Sequence, residues 1–159
     1  MIKNTALFTF SGALFALIFS GIFAFSSTDD HILMEDRSRF DFDTTIEQIE
    51  KKVDDAGWGI VNVHDMKSTL AGHGHDVQNI QILELCSSHY AARILELDDE
   101  RIISPLMPCR IAVYEKSNGN TYISRMDNEA IARSFSGVIE DVMARATSEI
   151  EDIITEVIE

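Results

Sequence analysis

Residues 109–126 read CRIAVYEKSNGNTYISRM. Two runs rich in β-branched and aromatic residues, 109–115 and 121–126, flank Asn118-Gly119, the dipeptide with the strongest preference for a tight hairpin turn. An antiparallel hairpin is therefore expected here. Any amphipathic helix elsewhere in the chain must pack on the sheet to which it belongs.

Upstream, NIQILELC (79–86) reads as a strand with Ile80, Ile82 and Leu85 as its apolar positions. SSHYAARILEL (87–97) reads as a helix with Ser87 or Ser88 as its cap. DDERIISP (98–105) reads as a return loop, because Pro105 does not fit mid-helix. Further back, TTIEQIEKKVDDAGWG (44–59) places Ile46, Ile49, Val53 and Ala56 on one helical face. Asp43 or Thr44 is its expected start, with Glu47 completing a capping box and Gly57 ending the helix. WGIVNVHDM (58–66) alternates as a strand with Trp58, Ile60 and Val63 inward. RSRFDFD (37–43) alternates at Phe40 and Phe42 and is expected as a short strand. KSTLAGHGHD (67–76) allows one helical turn before a loop. The order is β-α-β-turn-β-α-β-β-α.

Downstream, residues 128–158 contain no proline and one glycine. They read as one long helix of about 45 Å, against about 30 Å for a compact domain of this size. Ile139, Met143, Ala146, Ile150, Ile153 and Val157 form a heptad-like seam. It serves either the chain's own sheet, with a frayed tip, or a dimer contact. Glu149, Glu151, Asp152, Glu156 and Glu159 crowd the C-terminal end, where the helix dipole disfavours them.

Residues 7–25 carry no charge, follow Lys3 and precede Asp29 and Asp30. That is the pattern of a secretory signal, with Ala24 and Ser26 as small residues before a cut at Ser27. The run is also long enough, at about 19 residues, to remain as a membrane anchor. Both readings place the rest of the chain outside the cytoplasm, in the periplasm or tethered to the inner membrane. The expected organisation is 1–26 signal or anchor, 27–38 linker, 39–127 core and 128–159 helix. The fold class is α+β: a two-layer sandwich with a mixed or antiparallel sheet, helices on one face, an N-terminal hydrophobic helix and a long C-terminal one.

All 27 acidic residues lie beyond residue 26, and the 159-residue chain has a net charge of −14. That argues against nucleic acid and against docking on an anionic lipid face, both of which need Lys and Arg. Membrane contact is expected only through the N-terminal segment. No Gly-rich phosphate loop, nucleophile elbow or zinc-protease helix is present. Asp98, Asp99 and Glu100 read as a solvated turn.

The chain has two cysteines, Cys86 and Cys109. They are candidates for a disulfide or redox pair, for inert buried thiols, or for a metal or haem site. A bridge would close about 23 residues and contribute roughly 3 kcal/mol in the chain-entropy model. Whether the sulfurs meet depends on the direction of their strands. Cys86 and His89 have C-x₂-H spacing, and His64 and Cys109 would have to complete a zinc or copper set. His73, His75 and Asp76 lie on a loop, with weak metal-ligating or pH-sensing capacity. Arg110 and Tyr114 share one strand face with Ala112 between them. With His89 they are candidates for a small pocket facing an anionic group; otherwise Tyr114 packs under a helix and Arg110 pairs with a carboxylate.

The segments ELCSSHYAARIL and LMPCRIAVYEKSNGNTYISRM, preceded by TIEQIEKKVDDAGWGIVNVHDM, resemble the domain of unknown function 302 family over about residues 40–128. The resemblance implies a small α+β sandwich, generally a homodimer, and supplies shape rather than an activity or a cofactor. One departure is Ser87-Ser88, where the family often carries Asn-Pro. The function expected is a non-enzymatic, exported domain binding a small ligand or a partner as a homodimer. The alternative is a thiol- or metal-dependent redox protein using Cys86 and Cys109. A third class is a structural subunit of an envelope complex.

Overall fold

A computed structural model describes residues 32–159. The expected signal or anchor of residues 1–26 lies outside the described residues. Five strands form one antiparallel sheet: β1 (Leu33–Arg37), β2 (Gly59–Asp65), β3 (Ile80–Cys86), β4 (Cys109–Glu115) and β5 (Thr121–Met126), in the order β1-β5-β4-β3-β2. The β4–β5 hairpin turns at Gly119, whose φ of 77° suits glycine. The expected α+β class and helix-covered sheet are what the molecule has, and every strand pair is antiparallel.

Helix α1 (Phe42–Asp55) begins where the Asp41 carboxylate accepts from the Thr44 N–H at 2.9 Å. Phe42, Thr45, Ile49 and Val53 make its buried stripe. It ends in a Schellman motif: Gly57, at φ 74°, donates to the Asp54 carbonyl, and Trp58 donates to that of Val53. That closure drops Trp58 into the core beside Val53. The start differs from the one expected at Asp43 or Thr44. The Phe40–Phe42 alternation is not a strand, because the cap at Asp41 recruits Phe42 into the helix.

The segment expected as a linker, 27–38, contains β1. Met34 and Asp36 point to the helix side and Leu33, Glu35 and Arg37 away from it, as their partners Arg125 and Ile123 are buried and Ser124 is not. The inward carboxylate is tolerated because Asp36 meets Arg125 at 2.5 Å, and Glu151 grips the same guanidinium at 2.5 and 2.8 Å. The residues expected as a return loop form a 3₁₀ helix, Glu100–Leu106, that buries Ile103.

The long helix expected over 128–158 is broken in two, α4 (Asn128–Ala132) and α5 (Val138–Thr155). The break falls at Ser134–Gly137, where Gly137 adopts φ 69°. At 18 residues, α5 spans about 27 Å and matches the domain instead of overshooting it. Its heptad-like seam is internal. Ile150, Ile153 and Val157 join the main core with Leu83, Leu85 and Ile111, so the seam is not a free dimer surface.

A second, smaller cluster forms at the other end of α5. Ile139 and Val142 there meet Ile94 of α3 (Ser88–Leu95) and Ile103 of the 3₁₀ helix. A short helix, α2 (Met66–Ala71), follows β2, as the expected single turn. Among the described residues the opposite face of the sheet carries no helix, and none of the described helices is long and apolar enough to cross a membrane.

Candidate functional site

The two apolar clusters do not merge completely. Between them a pocket opens, with a cavity volume of about 60 Å³. The ends of β3 and β4 form its floor, α3 and the 3₁₀ helix one wall, and α5 the other. Met107 and Pro108, joined by a cis peptide, lead into it. Tyr90 packs on both clusters and marks the division.

Each wall is a consequence of a local signal. The Schellman turn positions Trp58. The extended Ser87 starts α3, so Tyr90 and Ala91 face inward; the Ser87 hydroxyl makes no capping bond. Asp127 caps α4 through the Ala130 N–H at 2.8 Å, which sets Asn128 at the pocket edge. The Asn128 amide donates only a long bond, 3.9 Å, to the Cys109 sulfur.

One carboxylate fastens the mouth. Glu149 on α5 accepts from Trp58 Nε1 at 2.8 Å and from the Tyr90 hydroxyl at 2.6 Å. The two rings lie 5.9 Å apart, tilted by 44°. The hydrogen bond to Glu149, then burial, raise the Tyr90 phenol above its ordinary value.

The cysteines answer the question of strand direction. β3 and β4 run antiparallel, so Cys86 and Cys109 do come to the same end of the sheet. Their register is offset by one, because Cys109 faces Leu85. Leu85 points into the core, and Cys109 packs with it. The two thiols therefore do not sit on directly paired positions. Both thiols are free, although both residues line the pocket. Burial, and secondarily the nearby Cys86, push the Cys109 thiol up to about 11.

The remaining sequence-derived candidates are scattered. Arg110 and Tyr114 do share a face, but it is the helix-free one, so Tyr114 does not pack under a helix. Arg110 meets Glu84 at 3.2 Å, and Glu84 also meets His64 at 3.1 Å. These hydrogen bonds, His64 first, hold the Glu84 carboxyl below its ordinary range. Tyr114 donates to Glu35, which also takes Lys116 at 2.5 Å. Tyr114 is pushed up to about 12 by burial and by that carboxylate.

His89 is exposed, with its ring edge-on to Tyr90 at 5.4 Å, and so does not join Arg110 and Tyr114 in one pocket. His73 and His75 are exposed on the loop after α2. Among the described residues no three His, Cys, Asp or Glu side chains cluster as a metal site.

The family model described as Domain of unknown function DUF302 matches residues 34–158. The chain belongs to the DUF302 family. The match adds β1 and α5 to the span recognisable by eye. An uncharacterised conserved DUF302 protein from Bacillus stearothermophilus, known from its crystal structure, superposes with a TM-score of 0.71 at 20% identity. The superposition covers 80% of this chain and 98% of the other, and at that identity it shows a common fold. No curated protein matches.

In this DUF302 domain, sequence reasoning found the cysteines and Trp58 but not the pocket they share. Tyr90, Met107 and Asn128 were not singled out. The available signal was positional: Tyr90 and Asn128 each lie in the first turn of a helix that directly follows a strand.

Proposed function

We propose that this DUF302 domain is a non-enzymatic binding module for a small, mainly apolar molecule, held in the pocket between the two apolar clusters. The observation that carries the reading is the pocket itself: a concave, aromatic- and aliphatic-lined space, partly open to solvent. The buried thiol of Cys109, kept protonated, supports binding over nucleophilic chemistry. The same proposal places the domain outside the cytoplasm, on the strength of the uncharged run 7–25. It works there as a homodimer through a surface other than the α5 seam.

The test is titration with benzene, read through enhancement of the emission of Trp58, the chain's one tryptophan and part of the lining. Saturable enhancement is expected, and Ala91→Phe, which fills the pocket from α3, should abolish it with the circular dichroism unchanged. No enhancement, or enhancement that survives Ala91→Phe, overturns the reading. Light scattering tests the dimer: a monomer mass refutes that part alone.

A further inference from the structure

The helix-free face of the sheet is a second surface that the described residues leave uncovered. Its middle is apolar: Ile80 and Ile82 of β3, Ala112 and Tyr114 of β4, and Tyr122 and Met126 of β5. Leu33 of β1, 64% exposed, extends it at one edge. The Tyr114 and Tyr122 rings stack at 6.2 Å, and the Lys116 ammonium lies 3.9 Å from the centre of the Tyr122 ring. Charges stand toward the rim. An aromatic and aliphatic middle with charged groups around it is the anatomy of a protein–protein interface. Both carboxylates of the face are already answered, Glu84 by His64 and Arg110, Glu35 by Lys116 and Tyr114. Covering them therefore strands no bare charge.

The charge of this face sets it apart from the rest of the chain. Arg37, Arg110 and Lys116 lie on it against Glu35 and Glu84, although the chain has 13 cations to 27 carboxylates. The remaining surface is correspondingly acidic. A basic partner is drawn to that remainder, and a polyanion is repelled by it. Two copies of the chain repel each other least when these two balanced faces meet. Five strands about 4.8 Å apart, with about six residues each at about 3.4 Å, make a face of roughly 24 by 20 Å. At about 500 Å² in projection per copy, it is at the small end of specific interfaces, which suits a reversible pair and not an obligate one.

We propose that this face docks on the same face of a second copy of the chain, across a twofold axis near Ala112. β4 is the central strand and Ala112 its midpoint, so such an axis brings each Ala112 close to its own counterpart. The proposal rests on the homodimer reading above and adds to it the surface and its charge rule.

Sedimentation equilibrium of the full chain should show a monomer–dimer equilibrium. Arg110→Glu, which places a second carboxylate beside Glu84, should weaken dimerisation at least about tenfold. Lys51→Glu makes the same charge change at an exposed position of α1, behind the sheet, and should shift the equilibrium less than about twofold. Ala112→Cys, a small change that needs no repacking, should give a disulfide-linked dimer on oxidation with copper phenanthroline, above the level set by the native Cys86 and Cys109. Circular dichroism checks that each variant is folded, and the Ala112→Cys result stands independently of Arg110→Glu. A chain that stays monomeric at every concentration sinks this face and the homodimer reading together. A dimer that withstands Arg110→Glu, weakens equally with Lys51→Glu, or gives no cross-link beyond the parent at Ala112→Cys overturns this face and leaves the homodimer reading standing.

Discussion

The Cys109 thiol offers a quantitative probe of the pocket. Its pKa is pushed up to about 11 from the ordinary 9.0. Only the thiolate is nucleophilic, so a rise of about two units cuts the reactive fraction roughly a hundredfold at any pH well below 9. At pH 7.5 a thiol of the unfolded chain is about 3% ionised and native Cys109 about 0.03%. The assay is alkylation by iodoacetamide, small and uncharged, of the Cys86→Ser variant in buffer and in concentrated urea. Native alkylation should be at least about 100-fold slower than in the unfolded chain, since steric shielding only widens the gap. The pH profile carries the independent signature. Between pH 9 and 10 the unfolded rate should bend toward a plateau, while the native rate keeps rising about tenfold per unit. A native rate within threefold of the unfolded one, or a native profile that bends near pH 9, would refute both the burial of this sulfur and its isolation from any activating cation.

Two stability predictions accompany it. Arg125 is 6% exposed between Asp36 and Glu151, both of which keep partial contact with water. Arg125→Met should cost about 3 kcal/mol, the low end for stripping one partner from a buried pair, because the abandoned carboxylates can hydrate. The urea midpoint then falls by roughly 1–2 M, and an unchanged midpoint contradicts the clamp. Gly57→Ala meets open space, so only the strain of φ 74° opposes it. The cost is about 1 kcal/mol and the melting temperature drops by roughly 3–5 °C; a neutral outcome would show that the Schellman closure is not what seats Trp58.

The legible parts of the fold were those written in short-range code. Asn118-Gly119 sets its own turn, and the stripe of Ile49 and Val53 identifies its own helix. What escaped was set by partners far away in the chain. LMEDR reads as a polar linker until Asp36 is seen to answer Arg125, which lies on a different strand. Phe40 and Phe42 alternate like a strand, but one side-chain cap at Asp41 outweighs two residues of pattern. The stretch 128–158 looks continuous because a single glycine is tolerated in a helix, whereas Gly137 spends its freedom on a left-handed turn. The site was legible as residues and not as a place. Pairing Cys86 with Cys109 needed strand direction, which antiparallel topology grants, and then register, which separates the side chains by one position. Arg110 and Tyr114 were correctly put on one face, but periodicity alone does not say which face the helices cover. The pocket itself is a misfit between two clusters, and no local pattern encodes a gap.

The sheet order has a consequence for assembly. β2 to β5 form a sequential meander, so each of those strands can zip onto the one before it at small entropic cost. β1 precedes them all in sequence yet pairs only with β5, Leu33 against Met126. A strand in that position must wait through the formation of everything between, closing the longest loop in the sheet. The bridge from Ser38 to Ile158 carries the same delay. During vectorial synthesis, then, Arg125 emerges after Asp36 and before Glu151, so its cation is answered only when β1 and α5 have both docked on the sheet. Sheet closure and charge neutralisation become a single late event.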